Sequence, residues 1–218
     1  MVTPRWGARS VGVGAGLVVA LVLTSCGGSK FQFVNNSTEG NFLKVPSKWT
    51  LYHLTQQDSE GRPAKAPVDT QRIWHIAFDA DPQPQQDHLT VNRPANVVGD
   101  VAIHALSSSD NDQVSQSKLR ELIFGGVDPV LQSPGTPPQW EVVSYVPITE
   151  GNGIVGSRTV INVPSQDQPN AWITVDGSEL FDPANGRAYI LSMRCDSQCY
   201  LNSRQSVDEV ANSWRVKR

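Results

Sequence analysis

The sequence predicts an α+β domain in which an antiparallel β-sheet is flanked by helices. Four segments rich in β-branched and aromatic residues follow one another between residues 140 and 195, and the turn-forming stretches EGNG, SQDQPN and DPANG separate them. Helical patterns occur in the middle of the chain and near its C-terminal end rather than after every strand. Consecutive strands joined by short turns favour an antiparallel meander, whereas regular alternation of strands and helices is typical of a parallel sheet.

The N-terminal half adds further strands. Residues 41–46 and 49–54 are predicted to form a hairpin around the dipeptide SK, and two longer strands are predicted at 72–80 and 96–106. Stretches rich in Pro and Gln interrupt these strand patterns and are predicted to be loops, because proline and polar clusters break regular structure. They are residues 57–71, 79–96 and 132–139.

Two helices are predicted. The first covers residues 115–124, where apolar side chains recur at i, i+3 and i+4 with charged residues opposite. The last helix is predicted to begin at Ser206, because Glu209 follows three residues later in the spacing of a capping box. The final SWRV segment is predicted to close the chain as a short strand.

The first residues have the features of a bacterial export signal. Arg5 and Arg9 precede an apolar run from Val11 to Leu23, and no acidic residue occurs before Cys26. A basic start followed by an apolar run of this length is typical of a signal peptide. The run is too short for a transmembrane helix, which needs about 20 apolar residues.

The end of this segment, LTSC, resembles the lipobox of bacterial lipoproteins. Two small residues stand between Leu23 and Cys26. The resemblance implies cleavage before Cys26, diacylation of its sulfur and usually acylation of the new N-terminus. The expected location is therefore the extracytoplasmic face of the cell membrane, with the lipid on Cys26 as the membrane contact, because two or more acyl chains hold a protein stably on a bilayer. The alternative is an ordinary secretory signal in which the cysteine occurs by chance.

The predicted organisation is a signal peptide at 1–25, a lipidated flexible tether at 26–39 and one domain at 40–218. The alternative at the second boundary is that Phe31 and Phe33 already belong to an edge strand. Removal of the signal peptide takes away two arginines and no acid, so the formal net charge changes from −3 to −5. This net negative charge disfavours nucleic acid as a partner and electrostatic binding to anionic lipid, because both are themselves negatively charged.

Two further stretches carry a resemblance to a known family. NFLKVPSKW, starting at residue 41, is similar to the opening strand of PsbP-like domains, and GRAYILSMRC with VDEVANSWRV is similar to their last strand, final helix and closing strand. The chain also resembles the LpqN-like group of actinobacterial envelope lipoproteins, over about residues 40–218. The resemblance implies a PsbP-like α/β/α sandwich and a role as a binding or assembly module without enzymatic activity. It assigns a function to no individual residue.

Cys195 and Cys199 are predicted to form a structural disulfide. Export places them in an oxidising compartment, and a strand end followed by a turn can bring two Cα atoms to the separation that a disulfide requires. Their C-x₃-C spacing differs from the C-x₂-C of thioredoxin-like redox centres. A labile redox switch and half of a metal site remain as alternatives.

The histidines and acidic loop residues favour structural roles over a metal site. His53, His75, His88 and His104 show no metal-ligand spacing, and those within strands are interpreted as hydrogen-bonded strand residues. The stretch DADPQPQQD carries Asp79, Asp81 and Asp87 but lacks the glycine and the terminal glutamate of an EF-hand, so a solvated acidic loop is the favoured interpretation. The sequence predicts no metal and no cofactor.

Catalytic motifs are also absent from the sequence pattern. No serine lies in G-x-S-x-G, and the acids Asp176 and Glu179 are interpreted as solvated strand and turn residues rather than as an acid–base pair. Trp49 and Trp214 are predicted to be core residues.

The favoured hypothesis is a non-catalytic lipoprotein that binds an envelope protein or a cell-wall component. An envelope hydrolase with scattered catalytic residues and a carrier of lipid or another small ligand remain open.

Overall fold

A seven-stranded antiparallel sheet organises the chain, and a small three-stranded sheet lies beside it. The structure is a computed structural model that describes residues 29–54, 71–132 and 140–217. The strands are β1 (Phe31–Asn36), β2 (Asn41–Pro46), β3 (Thr50–His53), β4 (Gln71–Asp79), β5 (Val98–Ala105), β6 (Glu141–Thr149), β7 (Val155–Pro164), β8 (Trp172–Asp182), β9 (Arg187–Asp196) and β10 (Arg215–Val216). The helices are α1 (Ser108–Gln113), α2 (Gln116–Ile123) and α3 (Ser197–Ser213).

The strand order of the large sheet is β3-β4-β5-β9-β8-β7-β6, and every neighbouring pair is antiparallel. Strands β6 to β9 form the meander that the turn signals predict, and α2 begins after the N-cap Ser115, as the apolar spacing predicts. The prediction of an α+β fold with an antiparallel sheet and flanking helices is therefore confirmed.

The main core lies between one face of the large sheet and helix α3. Val207 and Val210 of α3 are fully buried against a sheet face that includes Leu191. Each such side chain contributes about 1.5–3 kcal/mol through its removal from water. The tryptophans predicted for the core are found there: Trp49 stacks on a phenylalanine of β4, and Trp214 is buried at the end of α3.

Helix α2 covers the opposite face of the sheet. Leu119 packs there with Phe181 of β8 in a smaller apolar cluster. Gly177 allows the close approach, because a Cβ atom at this position would lie 2.7 Å from a methyl carbon of Ile123. Strand β8 is consequently covered on both faces, a fact that decides the environment of its acidic side chains.

The hairpin predicted between residues 41–46 and 49–54 is wrong. Strand β2 pairs with β1 and β10, whereas β3 pairs with β4 in the other sheet. The peptide N–H of Trp49 donates to the carbonyl of Pro46, and this turn directs the chain from the small sheet to the large one. Burial of Trp49 in the core outweighs the local pairing that the sequence pattern favours.

The domain begins earlier than the boundary predicted at residue 40. Residues 31–36, assigned to the tether at 26–39, form strand β1, which pairs along its whole length with β2. Val34 of this strand is buried in the main core. Cys26 and the signal peptide at 1–25 lie outside the described residues. So do the predicted loops at 57–71 and 132–139, except for Gln71, which begins β4, and Gln132.

The start of α3 also differs from the prediction. The helix begins nine residues before Ser206, and Asp196 caps it by accepting a hydrogen bond from the backbone N–H of Gln198. A disulfide joins Cys195 at the end of β9 to Cys199 in the first turn of α3, with their Cα atoms 5.9 Å apart. None of the helices in the described parts of the chain is long and apolar enough to cross a membrane.

Candidate functional site

Strand β6 forms one edge of the large sheet and is exposed along most of its length. Val143 and Val146 are each 54% exposed, and Val142 and Tyr145 are also exposed. Residues 142–149 include no charged side chain. A contiguous apolar strand at a sheet edge is unusual for a surface that faces only water and marks an interaction surface.

Two features of β6 limit backbone pairing with another strand. Pro147 lacks an N–H donor, and a proline in an edge strand directs this missing donor away from the sheet. The pairing of β6 with β7 shifts register between Val142 and Ser144, which leaves Val143 in a bulge. Any contact made through β6 therefore uses its side chains more than its backbone.

A groove of about 450 Å³ lies beside β6, on the same face of the sheet as α3. Its apolar lining comes from Val146 and Ile148 of β6, Leu180 of β8, and Ala211 with Trp214 at the end of α3. The volume falls within the range of pockets that hold small molecules or side chains of a partner. Val146 belongs both to the groove and to the exposed part of β6, whereas Val142 and Tyr145 lie on the α2 face of the sheet, where Tyr145 donates a hydrogen bond to Gln116.

The register of three strands places the lining residues on one face. Val146 lies opposite Arg158, which lies opposite Ser178, and one step along the sheet Ile148 and Leu180 flank Gly156. Side chains of directly opposed residues in a sheet point to the same face. The groove is thus a row of cross-strand neighbours, bounded by the C-terminal turn of α3.

Arg158 is a partly buried cation in the groove lining. Its Nε and Nη2 donate to the two carboxylate oxygens of Asp176, at 2.8 and 2.5 Å, and Nη2 also donates to Asp208 at 2.7 Å. Burial lowers the pKa of this guanidinium, but its hydrogen bonds to Asp176 and Asp208 and their charges raise it above its ordinary value. Arg158 is therefore a permanent cation, held in place by the fully buried carboxylate of Asp176.

Asp176 also joins the groove to helix α3. The hydroxyl of Tyr200 donates to Asp176 at 2.8 Å, and burial together with the Asp176 charge raises the pKa of that phenol. The interpretation of Asp176 as a solvated residue is wrong, since its side chain is inaccessible to solvent. The physical reason is that β8 lies inside the sheet with a helix on each face.

Glu179 is likewise buried, on the α2 face of β8, and its interpretation as a solvated residue is also wrong. Its Oε1 accepts a hydrogen bond from Ser157, and its Oε2 has no partner within the described structure. Burial raises the pKa of this carboxyl to about 8. The nearby Arg120 does not neutralise it, because Arg120 forms two hydrogen bonds with Asp128.

None of the four histidines lines the groove, and His75 and His104 lie near each other on β4 and β5. His75 contacts Asp100 at 3.0 Å within the sheet, as expected of a hydrogen-bonded strand residue. His104 is buried, and desolvation lowers its pKa to about 4, although its Nδ1 has no partner in the described structure. His53 is exposed at the end of β3.

Asp79 and His88 form a pair beside a small pocket of about 240 Å³. The carboxylate of Asp79 is fully buried, so its interpretation as part of a solvated loop is wrong. It accepts hydrogen bonds from the backbone N–H groups of Asp81 and Gln85 and contacts Nδ1 of His88 at 2.8 Å. The pair orients an imidazole, which is a requirement of a general base and also of many structural histidines. Asp87, the third acid of this stretch, lies in the short 3-10 helix at 86–90, and the described residues include no group of three or more candidate metal ligands.

Neither the role of Arg158 nor the exposure of strand β6 is predicted from the sequence. One signal was available: an arginine in the middle of a strand of buried residues needs a buried acid, and Asp176 lies on the neighbouring strand. The exposure of β6 depends on its position at the sheet edge. The β-branched pattern of the strand does not indicate whether it lies at an edge or inside the sheet.

The fold is similar to that of known proteins. No family model matches the sequence, and no curated protein matches it. The solution structure of cyanobacterial PsbP (CyanoP) from Synechocystis sp. PCC 6803 superposes with a TM-score of 0.51 and 15% identity, covering 89% of this chain and 99% of that one. The chain therefore has a PsbP-like fold.

Two further solved structures are more distant. The Ran-binding protein Mog1p of Saccharomyces cerevisiae gives a TM-score of 0.46 at 11% identity, covering 85% of this chain and 95% of that one. LpqN of Mycobacterium tuberculosis, described as involved in cell envelope biogenesis, gives 0.45 at 12% identity, covering 86% and 91%. Sequence identities this low show similarity of fold alone and assign no function to the groove.

Proposed function

We propose that this chain is a non-catalytic envelope module, anchored through lipid on Cys26 at the extracytoplasmic face of the cell membrane, that binds a protein partner through the groove beside β6. The observation that carries the binding function is the continuity of an uncharged, exposed edge strand with an apolar groove. Such a surface costs solubility, and binding of a partner's side chains removes it from water.

A protein segment fits this surface better than a transported lipid does. The space between the sheet and α3 is filled by side chains such as Leu191, Val207 and Val210, which are fully buried, whereas a carrier needs a cavity there. The apolar surface lies outside this core and follows a strand of nine residues. An extended peptide that places one or two aliphatic side chains in the groove matches that shape.

The lipid anchor predicts the state of all three cysteines. A thioether at Cys26 and a disulfide between Cys195 and Cys199 leave no free thiol in the mature protein. Thiol titration of the denatured, unreduced protein extracted from envelopes should therefore find none, and mass spectrometry should find an acylated residue 26 at the N-terminus. One free thiol together with an unmodified residue 26 would contradict the anchor.

The groove is tested by a charge placed in its lining. Val146→Asp should abolish co-purification of the partner from cross-linked envelopes, because it replaces an apolar contact with a carboxylate opposite Arg158, where the new carboxylate occupies the groove in place of the partner's side chains. Val146 is half exposed, so the variant should keep the melting temperature of the natural protein. Leu201→Asp is the matched control, since Leu201 is 62% exposed on α3 and does not line the groove. Equal recovery of the partner by both variants would disprove the proposed surface.

A further inference from the structure

We propose that Arg158 forms a carboxylate-binding subsite in the groove, so that the partner segment carries a carboxylate beside an aliphatic side chain. This inference rests on the proposed function, because it names the chemistry of the ligand for the same groove. Arg158 would supply a charged hydrogen-bonding contact in a groove whose other contacts are mainly apolar.

The hydrogen bonds of Arg158 leave one part of its guanidinium available. Asp176 occupies Nε and Nη2, and Asp208 shares Nη2. The third nitrogen, Nη1, makes no hydrogen bond within the described parts of the chain. The side chain is 17% exposed and lines the groove. Two N–H donors of a fixed cation therefore remain for a ligand.

The surroundings of Arg158 strengthen such a contact. Asp176 fixes the orientation of the guanidinium by accepting its hydrogen bonds, and the Tyr200 hydroxyl fixes Asp176 by donating a hydrogen bond to it. A donor fixed before binding loses little conformational entropy when a ligand arrives. A bound ligand covers the half-exposed Val146, so that Val146 and the buried Leu180 both shield the contact from water, and a charged hydrogen bond is stronger in such an environment than in bulk solvent.

Other charged side chains at the groove compete with a ligand carboxylate for Arg158. Asp208 is 38% exposed and holds Arg158 from the rim, but it also lies 3.8 Å from Arg204, which can keep it as a partner. Arg215 lines the groove and makes no ion pair among the described residues, whereas Glu150 contributes a negative charge to the lining. A ligand carboxylate therefore has to displace Asp208 or share Arg158 with it.

Titration of the full chain in detergent micelles with two probes tests the subsite. The probes are N-acetyl-Leu-Leu with a free carboxylate and the same dipeptide as its carboxamide, and NMR shifts of the groove residues report binding. We expect the acid to bind at least five-fold more tightly than the amide. Asp208→Asn should increase the affinity for the acid several-fold and leave the amide unchanged, because it removes the competing carboxylate.

Two further variants keep the test interpretable. Arg158→Ala leaves the buried Asp176 without a counter-charge and can prevent folding, so Arg158→Lys is used. Lysine keeps the charge but loses the planar fork, and it should reduce the preference for the acid to less than two-fold. Glu209→Gln is the matched control for Asp208→Asn, because Glu209 is the next residue on α3, does not line the groove and pairs with Lys30. It should change neither affinity.

Failure of the subsite is distinguishable from failure of the proposed function. Equal affinity for the acid and the amide, with groove residues shifting in both titrations, would overturn the subsite and leave the groove as a binding surface. Absence of shifts with both probes would also overturn the subsite, and the Val146→Asp co-purification would then decide the fate of the groove independently.

Discussion

Replacing Asp128 with alanine is expected to lower the free energy of unfolding by about 3–5 kcal/mol, because the substitution leaves the guanidinium of Arg120 buried without a counter-charge. Arg120 and Asp128 are each only 5% exposed, and two hydrogen bonds of 2.8 and 2.7 Å join them. Burial raises the pKa of Asp128, but hydrogen bonds from Arg120 and Ser117 lower it overall, so the pair is charged at neutral pH. Urea denaturation measures the change.

Two controls separate burial from charge. Lys118→Ala removes the exposed pair between Lys118 and Glu121 in the same helix and should change stability by at most about 0.5 kcal/mol. The double variant Arg120→Met with Asp128→Leu removes both charges and should recover most of the loss, because apolar residues of similar volume replace a buried pair without leaving a charge unpaired. A double variant as unstable as Asp128→Ala would contradict this explanation.

Glu179 should make stability fall as pH rises. The pKa of this carboxyl is about 8 in the folded protein against an ordinary value of 4.5, so the folded state holds its proton more tightly than the unfolded state. The stabilising contribution of the neutral carboxyl is therefore complete below pH 4.5 and is lost as pH rises toward 8. The slope is about 1.4 kcal/mol per pH unit within this window, so the total loss is on the order of a few kcal/mol.

Glu179→Gln should flatten this part of the pH profile, because glutamine keeps the shape of the neutral acid and cannot ionise. The variant and the natural protein should have similar stability at pH 4.5, and the variant should be more stable at pH 8. Glu141→Gln, an exposed acid on β6, should leave the profile unchanged. Parallel curves for Glu179→Gln and the natural protein would show that Glu179 is ionised throughout and that its burial does not raise its pKa.

Local patterns predict the elements whose partners are close in sequence. Strands β6 to β9 pair with their neighbours across short turns, and the apolar spacing locates helix α2, so both elements could be predicted. The buried face of α2 could not, because the structure buries Leu119 together with Arg120 and leaves Leu122 exposed. Strand β2 could not be placed, because its partners β1 and β10 include a strand more than 160 residues further along the chain. Ser206 and Glu209 have the spacing of a capping box, yet they lie inside α3, since contacts of the helix with the core extend it back to Asp196.

The candidate site depends on which strands lie inside the sheet and which lie at its edge. Asp176 and Glu179 have the polar character of solvated strand residues, but β8 is an inner strand, and Arg158 and Ser157 on β7 supply partners that the local sequence does not show. The apolar residues of β6 show the reverse difference between pattern and structure. Their pattern is typical of a buried strand, but the position of β6 at the sheet edge exposes them.

Site-specific photo-cross-linking in intact envelopes can show whether the partner contacts the groove beside β6. A photoreactive phenylalanine analogue is placed at Val146 in the full chain, with the same analogue at Leu201 for comparison. We expect a single protein adduct from position 146 that is absent from position 201 and is lost when Ile148→Asp is added. The same adduct from both positions, or from position 201 alone, would contradict this contact.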